Sequence, residues 1–524
     1  MEGKEEVRQS LADQQQKAMR GRFGLNVLTN YISFFINLFI SLYLTRFLLQ
    51  SLGKELFGAW SLIGSIMMYL GLVDLGFGSS IQKFVAEYAA AGEEKRISRL
   101  ISTSAILLGA LALLLILLSI AATPLLGSVF KLSPEYVDQA RHALILMGIV
   151  QGVALPLGIL SGTLLGLQRM DIQNAVGIVG SIANFLLILA FVSLGWGLPG
   201  VCIAYLGVTI AAGLVKILFV KNLLPGVRPS FSQFDWSIVR STSTYGITFF
   251  GLKIAHFLKY NTDSMVISAF LSVAMVTPFA IANRLATLIR QLVEQAVDIL
   301  VPVFSQLHRL QDEETIKRVY LQAGKLTVGL AAPIALFVCL FARDILVVWL
   351  ENPPEKADIL TIILSLTVFA SIVPAVSVKL MLGVARHRAL ALWTLADSVA
   401  NLVLSIILVG PYGLVGVALG TTIPLVISHV FVFPWLGCRI IGLSTVSFLF
   451  ILTRAFVLPL IPVYFLLWSL SRVWHPGGGL ELLVLFVSTC LLYGTLFAFL
   501  SIDREERIAY RDRLARILPE RGSA

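Results

Sequence analysis

Runs of roughly 20 apolar residues, separated by short polar breaks, recur along the whole chain. Each run is long enough to cross a ~30 Å hydrocarbon core as a helix. The pattern predicts helices at about 25–49, 57–82, 99–121, 141–166, 173–195, 200–220 and 241–272. It continues at about 275–304, 325–350, 358–383, 389–409, 413–436, 448–470 and 480–500. The polar insertions reach only about 20 residues, too few for a folded soluble domain. The expected fold class is an all-α polytopic membrane protein of about 14 transmembrane helices.

The chain repeats itself. Leu165-Gly-Leu-Gln-Arg169 matches Leu382-Gly-Val-Ala-Arg386, an offset of 217. Ser181-Ile-Ala-Asn184 matches Ser398-Val-Ala-Asn401 at the same offset, and Trp196-Gly-Leu-Pro-Gly-Val201 matches Tyr412-Gly-Leu-Val-Gly-Val417 at 216. Helices 1–6 thus read as a copy of helices 7–12. Six is an even number, so both copies enter the membrane with the same polarity, as two parallel six-helix repeats. Helices 13 and 14 lie outside the duplication. The expected organisation is a cytoplasmic N-tail (1–24), a first bundle (25–220), a cytoplasmic linker (221–240), a second bundle (241–436), helices 13–14 (437–500) and a basic cytoplasmic C-tail (501–524). Such a duplication predicts a central cavity between two bundles that rock to give alternating access.

Charge places the chain in the membrane. Only 13% of residues are charged, against about a quarter in soluble domains. With the N-terminus inside, the cytoplasmic segments hold 26 Lys and Arg and the outer loops six, the asymmetry that membrane topology requires. The net charge of +10 is therefore spread over short loops and indicates no nucleic acid. About 24 polar residues precede a first apolar run too long for a cleavable signal, so it is expected to be an uncleaved anchor. A bacterial cytoplasmic (inner) membrane location with both termini cytoplasmic is expected. The cysteines, Cys202, Cys339, Cys438 and Cys490, sit singly in apolar segments, which indicates neither zinc nor disulfides. The tail Arg504–Arg521 reads either as an amphipathic surface helix or as ordinary positive-inside charge.

Ionisable groups at membrane depth are costly and normally face a bundle interior or water. Helix 7 carries Lys253, His256, Lys259 and Asp263 within an arc of about 120°. Helix 8 carries Asn283, Arg284, Thr287, Arg290, Gln291, Glu294, Gln295 and Asp298 within about 140°. Two such faces read as the wall of a hydrated cavity, with Lys253, His256, Lys259, Arg284 and Arg290 as candidate anion-binding groups. Asp263 with Arg284, and Lys253 with Glu294, are placed to pair. The alternative is that these groups only lock two helices together. Further membrane charges are Asp74, Lys379 and Asp397, the last two on neighbouring helices and placed to neutralise each other. Asp74, Asp263, Glu294, Asp298 and Asp397 are candidate H+ or Na+ sites. Asp74 reads equally as a cap on a helix break. Asn26, Asn30 and Asn37 share a face of helix 1 and either line the cavity or bond a neighbouring helix.

No Walker A, H-E-x-x-H, paired-Cys or G-x-S-x-G pattern is present, so neither enzyme activity nor a cofactor is expected. The chain resembles the Wzx-type oligosaccharide flippases of the MATE-like MOP exporter superfamily. The residues that carry the resemblance are Leu52-Gly-Lys-Glu-Leu-Phe-Gly58, Asp74-Leu-Gly76, Leu165-Gly-Leu-Gln-Arg169 and Asn261-Thr-Asp-Ser-Met-Val-Ile267. The resemblance implies transport of polyprenyl-diphosphate-linked oligosaccharide from the inner to the outer leaflet. The lipid tail would stay in the bilayer, and an ion gradient or the membrane potential would drive the cycle. It implies membrane lipids and polysaccharide polymerase machinery as partners. Helix 1 lacks internal Arg, its only one being Arg46 at the outer end, which favours an O-antigen, capsule or exopolysaccharide unit over a peptidoglycan precursor. An ion-coupled multidrug exporter of the same superfamily is the alternative, although the basic lumen suits anions. A non-transporting scaffold of polysaccharide assembly is a third reading.

Overall fold

Each of the fourteen predicted segments falls on helix, and no strand occurs among the described residues. The computed structural model describes residues 2–74, 77–503, 506 and 507, with side chains except at 2–31, 231, 243–253, 255, 256, 260 and 387. The chain divides into two compact units, residues 1–254 with 272–274, and residues 255–271 with 275–524.

The first unit holds α1 (Glu2–Leu70), a 3-10 turn (Gly71–Asp74), α2 (Phe77–Ala90), α3 (Glu94–Ala121) and a single turn α4 (Leu125–Ser128). It continues through α5 (Pro134–Gly166), α6 (Met170–Ser193), α7 (Gly197–Leu223) and the start of α8 (Trp236–Phe270). Helix α5 lies against α2, α3 and α7, and α6 against α1 and α7. Phe77, Ile81 and Val85, one turn apart on α2, meet Ile97, Leu100 and Leu108 of α3. Lipid is as apolar as these side chains, so close packing rather than escape from water holds them. The segment predicted as a linker is stitched to α3 by hydroxyls. Ser98 Oγ donates to the Arg228 carbonyl at 2.9 Å. The backbone N–H groups of Ser230 and Asp235 donate to Ser102 Oγ and Thr103 Oγ1, each at 3.0 Å. This satisfies otherwise open backbone groups and carries the first unit past the predicted boundary.

The second unit holds the rest of α8, α9 (Val276–Asp298), α10 (Leu300–Arg309), α11 (Glu313–Leu350), α12 (Ala357–Ile372) and α13 (Ala375–Gly383). It ends with α14 (His387–Val426), a π-helical stretch (Ile427–Val432), α15 (Phe433–Ile441), α16 (Thr445–Val473) and α17 (Gly479–Leu500). Helix α11 contacts α12, α16 and α17. Phe337 and Phe341 of α11 share a core with Val463 and Leu467 of α16 and Tyr493 and Phe497 of α17. The two helices outside the duplication are thus packed into the second unit.

Among the described residues nine stretches are long and apolar enough to cross a membrane, or ten with the bent pair α12–α13 taken as one. The chain is a multi-pass membrane protein. These stretches are fewer than the expected fourteen helices, for two physical reasons. The stretches Ile32–Asp74 (43 residues) and Arg388–Ile441 (54 residues) each span more than about 60 Å, twice a hydrocarbon core. Each leaves helical geometry at a glycine, Gly53 with φ 77° and Gly413 with φ 57°, so each covers two predicted helices. Helix α9, with its charged face, falls outside the nine, and so does α8, which carries Lys259 and Asp263. Gly413 is the repeat-equivalent of Gly197, whose φ is 56°. The duplication read from sequence therefore extends to a matching left-handed turn, which favours glycine.

Candidate functional site

On helix α9, Ala282, Ala286, Ile289, Val293 and Val297 are buried at helical spacing, while Arg284, Gln291, Glu294, Gln295 and Asp298 are exposed, with Leu292 and Ala296 beside them. Asn283 and Thr287 are half-buried. Arg290 sits at the margin of the exposed face, with Nε 4.0 Å from Glu294 Oε1 one turn on. Lys379 of α13 pairs with Asp298.

The deepest charges lie elsewhere in the second unit. Lys259 of α8 and Asp397 of α14 are both buried, with Lys259 Nζ 2.8 Å from Asp397 Oδ2. His429 Nε2 lies 3.4 Å from the same ammonium, and His429 Nδ1 lies 3.1 Å from the Leu425 carbonyl. A carbonyl only accepts, so Nδ1 carries the proton. Nε2 then accepts from Lys259, which defines a neutral imidazole. The ring is placed by the π-helical stretch Ile427–Val432, which follows Pro424; proline removes a backbone donor, and widened turns of this kind recur at functional sites. Asn401 Nδ2, one turn from Asp397, donates to the Lys259 carbonyl at 3.3 Å.

Asp263, one turn beyond Lys259 on α8, accepts from Thr421 Oγ1 at 3.1 Å through both carboxylate oxygens. Lys259, Asp263, Asn283, Thr287, Arg290 and Thr421 line a cavity of about 30 Å³. That volume holds a water or two. It fits a small ion or hydrated proton and excludes a sugar.

The pairing differs from the sequence expectation in two places. Lys379 and Asp397 do not neutralise each other; Lys379 meets Asp298, and Asp397 meets Lys259. Among the described residues Asp263 forms no ion pair with Arg284 and bonds Thr421 instead. Sequence gave neighbouring helices, but helix rotation decides which side chains meet. The side chains of Lys253 and His256 lie outside the described residues, as do those of Asn26 and Asn30 and most of the basic C-tail. Asn37 bonds the Ser33 carbonyl within its own helix at 2.7 Å. Asp74 ends the 3-10 turn Gly71–Asp74, so the helix does break there. Sequence reasoning missed His429 and Thr421. The signal for His429 was a lone ionisable side chain inside the apolar segment 413–436. Thr421 carries no such mark.

A family model described as Polysaccharide biosynthesis protein matches residues 22–308. A search of curated proteins finds no match. Among solved structures, the chain is similar to an inward-facing multidrug resistance MATE family transporter of the MOP superfamily. The TM-score is 0.66 and the identity 18%, over 78% of this chain and 94% of that one. It is similar to the lipid II flippase MurJ in an inward closed conformation, with TM-score 0.65 and 16% identity over 94% and 99%. An outward-facing MATE transporter gives TM-score 0.57 at 18% identity over 80% and 95%. At these identities the likeness is one of fold, and it agrees with the helical bundles described above.

Proposed function

Because the chain belongs to the polysaccharide biosynthesis protein family, we propose that it is a flippase for polyprenyl-diphosphate-linked oligosaccharide. The unit carried is of the O-antigen, capsule or exopolysaccharide kind, and it moves from inner to outer leaflet by alternating access. The observation that carries this reading is the division of α9 into a buried apolar face and an exposed face that carries Arg, Gln, Glu and Asp. Lipid would not tolerate such a face. A glycan and its diphosphate would, because amides meet sugar hydroxyls and guanidinium forks meet phosphate oxygens. Arg284 and Arg290 are the phosphate-binding candidates. Lys259, Asp263, Asp397 and His429 are the coupling candidates, since Lys259 and Asp263 line a cavity that admits only a small ion and Asp397 and His429 hold the Lys259 ammonium. The protein would sit in the inner membrane with cytoplasmic termini, feed a polymerase, and perform no bond chemistry of its own.

The test is flipping of a fluorescent diphosphate glycolipid in liposomes with the purified full chain. Transfer dependent on an imposed H+ or Na+ gradient is expected. Transfer no faster than in protein-free liposomes, with properly inserted protein, overturns the reading.

A further inference from the structure

The first unit contains a cavity of about 390 Å³ between α5, α6 and α7, within the ~300–1,000 Å³ range of small-molecule sites. Its polar lining is Ser161, Ser181, Asn184, Tyr205, Thr209 and Lys216. These are not scattered. Tyr205, Thr209 and Lys216 share one face of α7, and Ser181 and Asn184 one face of α6.

The duplication shows what differs here. At the offsets of 216 and 217, Asp397 corresponds to Gly180 and His429 to Gly213. Both glycines line the cavity, and Leu157 packs where a Gly213 side chain would stand. Where the second unit places a carboxylate and an imidazole around Lys259, the first unit has no side chains at those positions. Asn184 is the counterpart of Asn401. Asn401 has a partner, but Asn184 Oδ1 is buried without a hydrogen-bond partner among the described residues. An open acceptor of this kind is costly unless a ligand donates to it.

Lys216 supplies the charge. Its ammonium donates to Ser161 Oγ at 2.8 Å, which uses one of three N–H bonds. No carboxylate pairs with it among the described residues. One cation matches one negative charge; a diphosphate would bring more. Thr209 and Tyr205 follow Lys216 along α7 over about 16 Å, with Val208, Ala212 and Gly213 between them and Leu157 and Val176 also in the lining. Sugar rings present both hydroxyls and apolar C–H faces, and a lining of hydroxyls, one amide, small apolar groups and an aromatic ring suits two linked rings. Tyr205 provides that aromatic ring, backed by Trp60 with ring centroids 5.9 Å apart.

We propose that the cavity between α5, α6 and α7 is a glycan subsite selective for an acidic sugar, with Lys216 binding the carboxylate of a uronic-acid residue and Asn184 accepting from a ring hydroxyl. The proposal rests on the flippase reading and names the class of glycan carried.

The binding test uses detergent-purified full chain and tryptophan fluorescence, with Trp60→Phe as the control that assigns the signal. A uronic-acid disaccharide is expected to bind at least about tenfold tighter than its neutral counterpart, the worth of one charge-assisted contact. Lys216→Gln is expected to abolish that preference while thermal unfolding is unchanged. Gly177→Leu, at a position where an added Cβ meets nothing within 4 Å, is expected to fill the cavity and abolish binding of both. Equal affinity for the acidic and neutral disaccharides overturns the proposal. So does a Lys216-dependent signal from phosphatidylglycerol vesicles without any from the disaccharide. In liposomes, failure to flip any diphosphate glycolipid sinks the flippase reading. Equal flipping of acidic and neutral glycans, unaffected by Lys216→Gln, sinks this inference alone.

Discussion

Lys259 and Asp397, 138 positions apart in the chain, form a fully buried ion pair with Nζ 2.8 Å from Oδ2. Removing one partner strands the other charge away from water, at a cost of about 3–5 kcal/mol, whereas replacing both with apolar groups of similar size is close to neutral. Lys259→Met and Asp397→Leu are each expected to lower the unfolding temperature in detergent. The double variant is expected to recover most of the loss. A double variant no more stable than the weaker single one would mean that the pair is not the origin of the effect.

Arg284 and Arg290 are expected to matter for transport rather than folding. Arg284 is exposed and Arg290 lies at the margin of the polar face of α9, so Arg→Gln at both removes two charge-assisted contacts at little packing cost. A loss of at least about tenfold in glycolipid flipping is expected, with membrane abundance unchanged. Arg318, exposed and paired with Glu314, is the control; Arg318→Gln is expected to leave flipping at its original rate. Equal effects of the two changes would remove α9 from the transport path.

Gly413 tests the turn that the repeats share. Its φ of 57° disfavours any L side chain, and an added Cβ would meet nothing within 4 Å. Gly413→Ala therefore isolates backbone strain, at about 1–3 kcal/mol. Gly197→Ala, at φ 56°, meets only the amide end of the Gln139 side chain, which can swing aside, and is expected to cost a similar amount. Thermal unfolding of the two variants in one detergent gives the comparison. A loss at one glycine and none at the other would contradict it.

Asp312 caps α11, with Oδ1 accepting from the Thr315 N–H at 3.0 Å. That side-chain and backbone bonding to Thr315 holds its carboxyl below the usual carboxylate range. A carboxyl lowered by folding stabilises the folded state above its unfolded pKa of about 4, and the contribution fades as pH falls through the lower folded value. Protection of the Thr315 amide, corrected for intrinsic exchange, should hold near neutrality and decline on acidification below about pH 4. Asp312→Asn, which keeps an acceptor oxygen, should retain the protection and remove its pH dependence. The same acid-induced decline in that variant would assign it to another group.

The helices, their order and the charged stripe on α9 were legible because each depends on local spacing. Apolar runs announce themselves by length, and a polar face shows as a 3.6-residue period whatever packs against it. Partner choice was not legible. Lys379 and Asp397 lie on successive predicted helices, yet Lys379 meets Asp298 and Asp397 meets Lys259, because each helix's rotation is set by its packing. Lys216 drew no notice as a single lysine near a helix end. It acquires meaning from the cavity it shares with Gly180 and Asn184 of α6, which exists only once three helices stand together.

By itself the sequence determined a membrane-embedded, duplicated helical chain with Lys and Arg gathered at one set of helix ends, since hydrophobic length, repeat register and loop charge are properties of one dimension. Only the tertiary structure decided that Lys259 is buried against Asp397 and His429 while the equivalent place in the first repeat stays open beside Lys216. The reason is geometric. A buried charge is tolerated only where specific partners converge on it from other helices, and that convergence depends on how the helices turn and pack, which no spacing along the chain records.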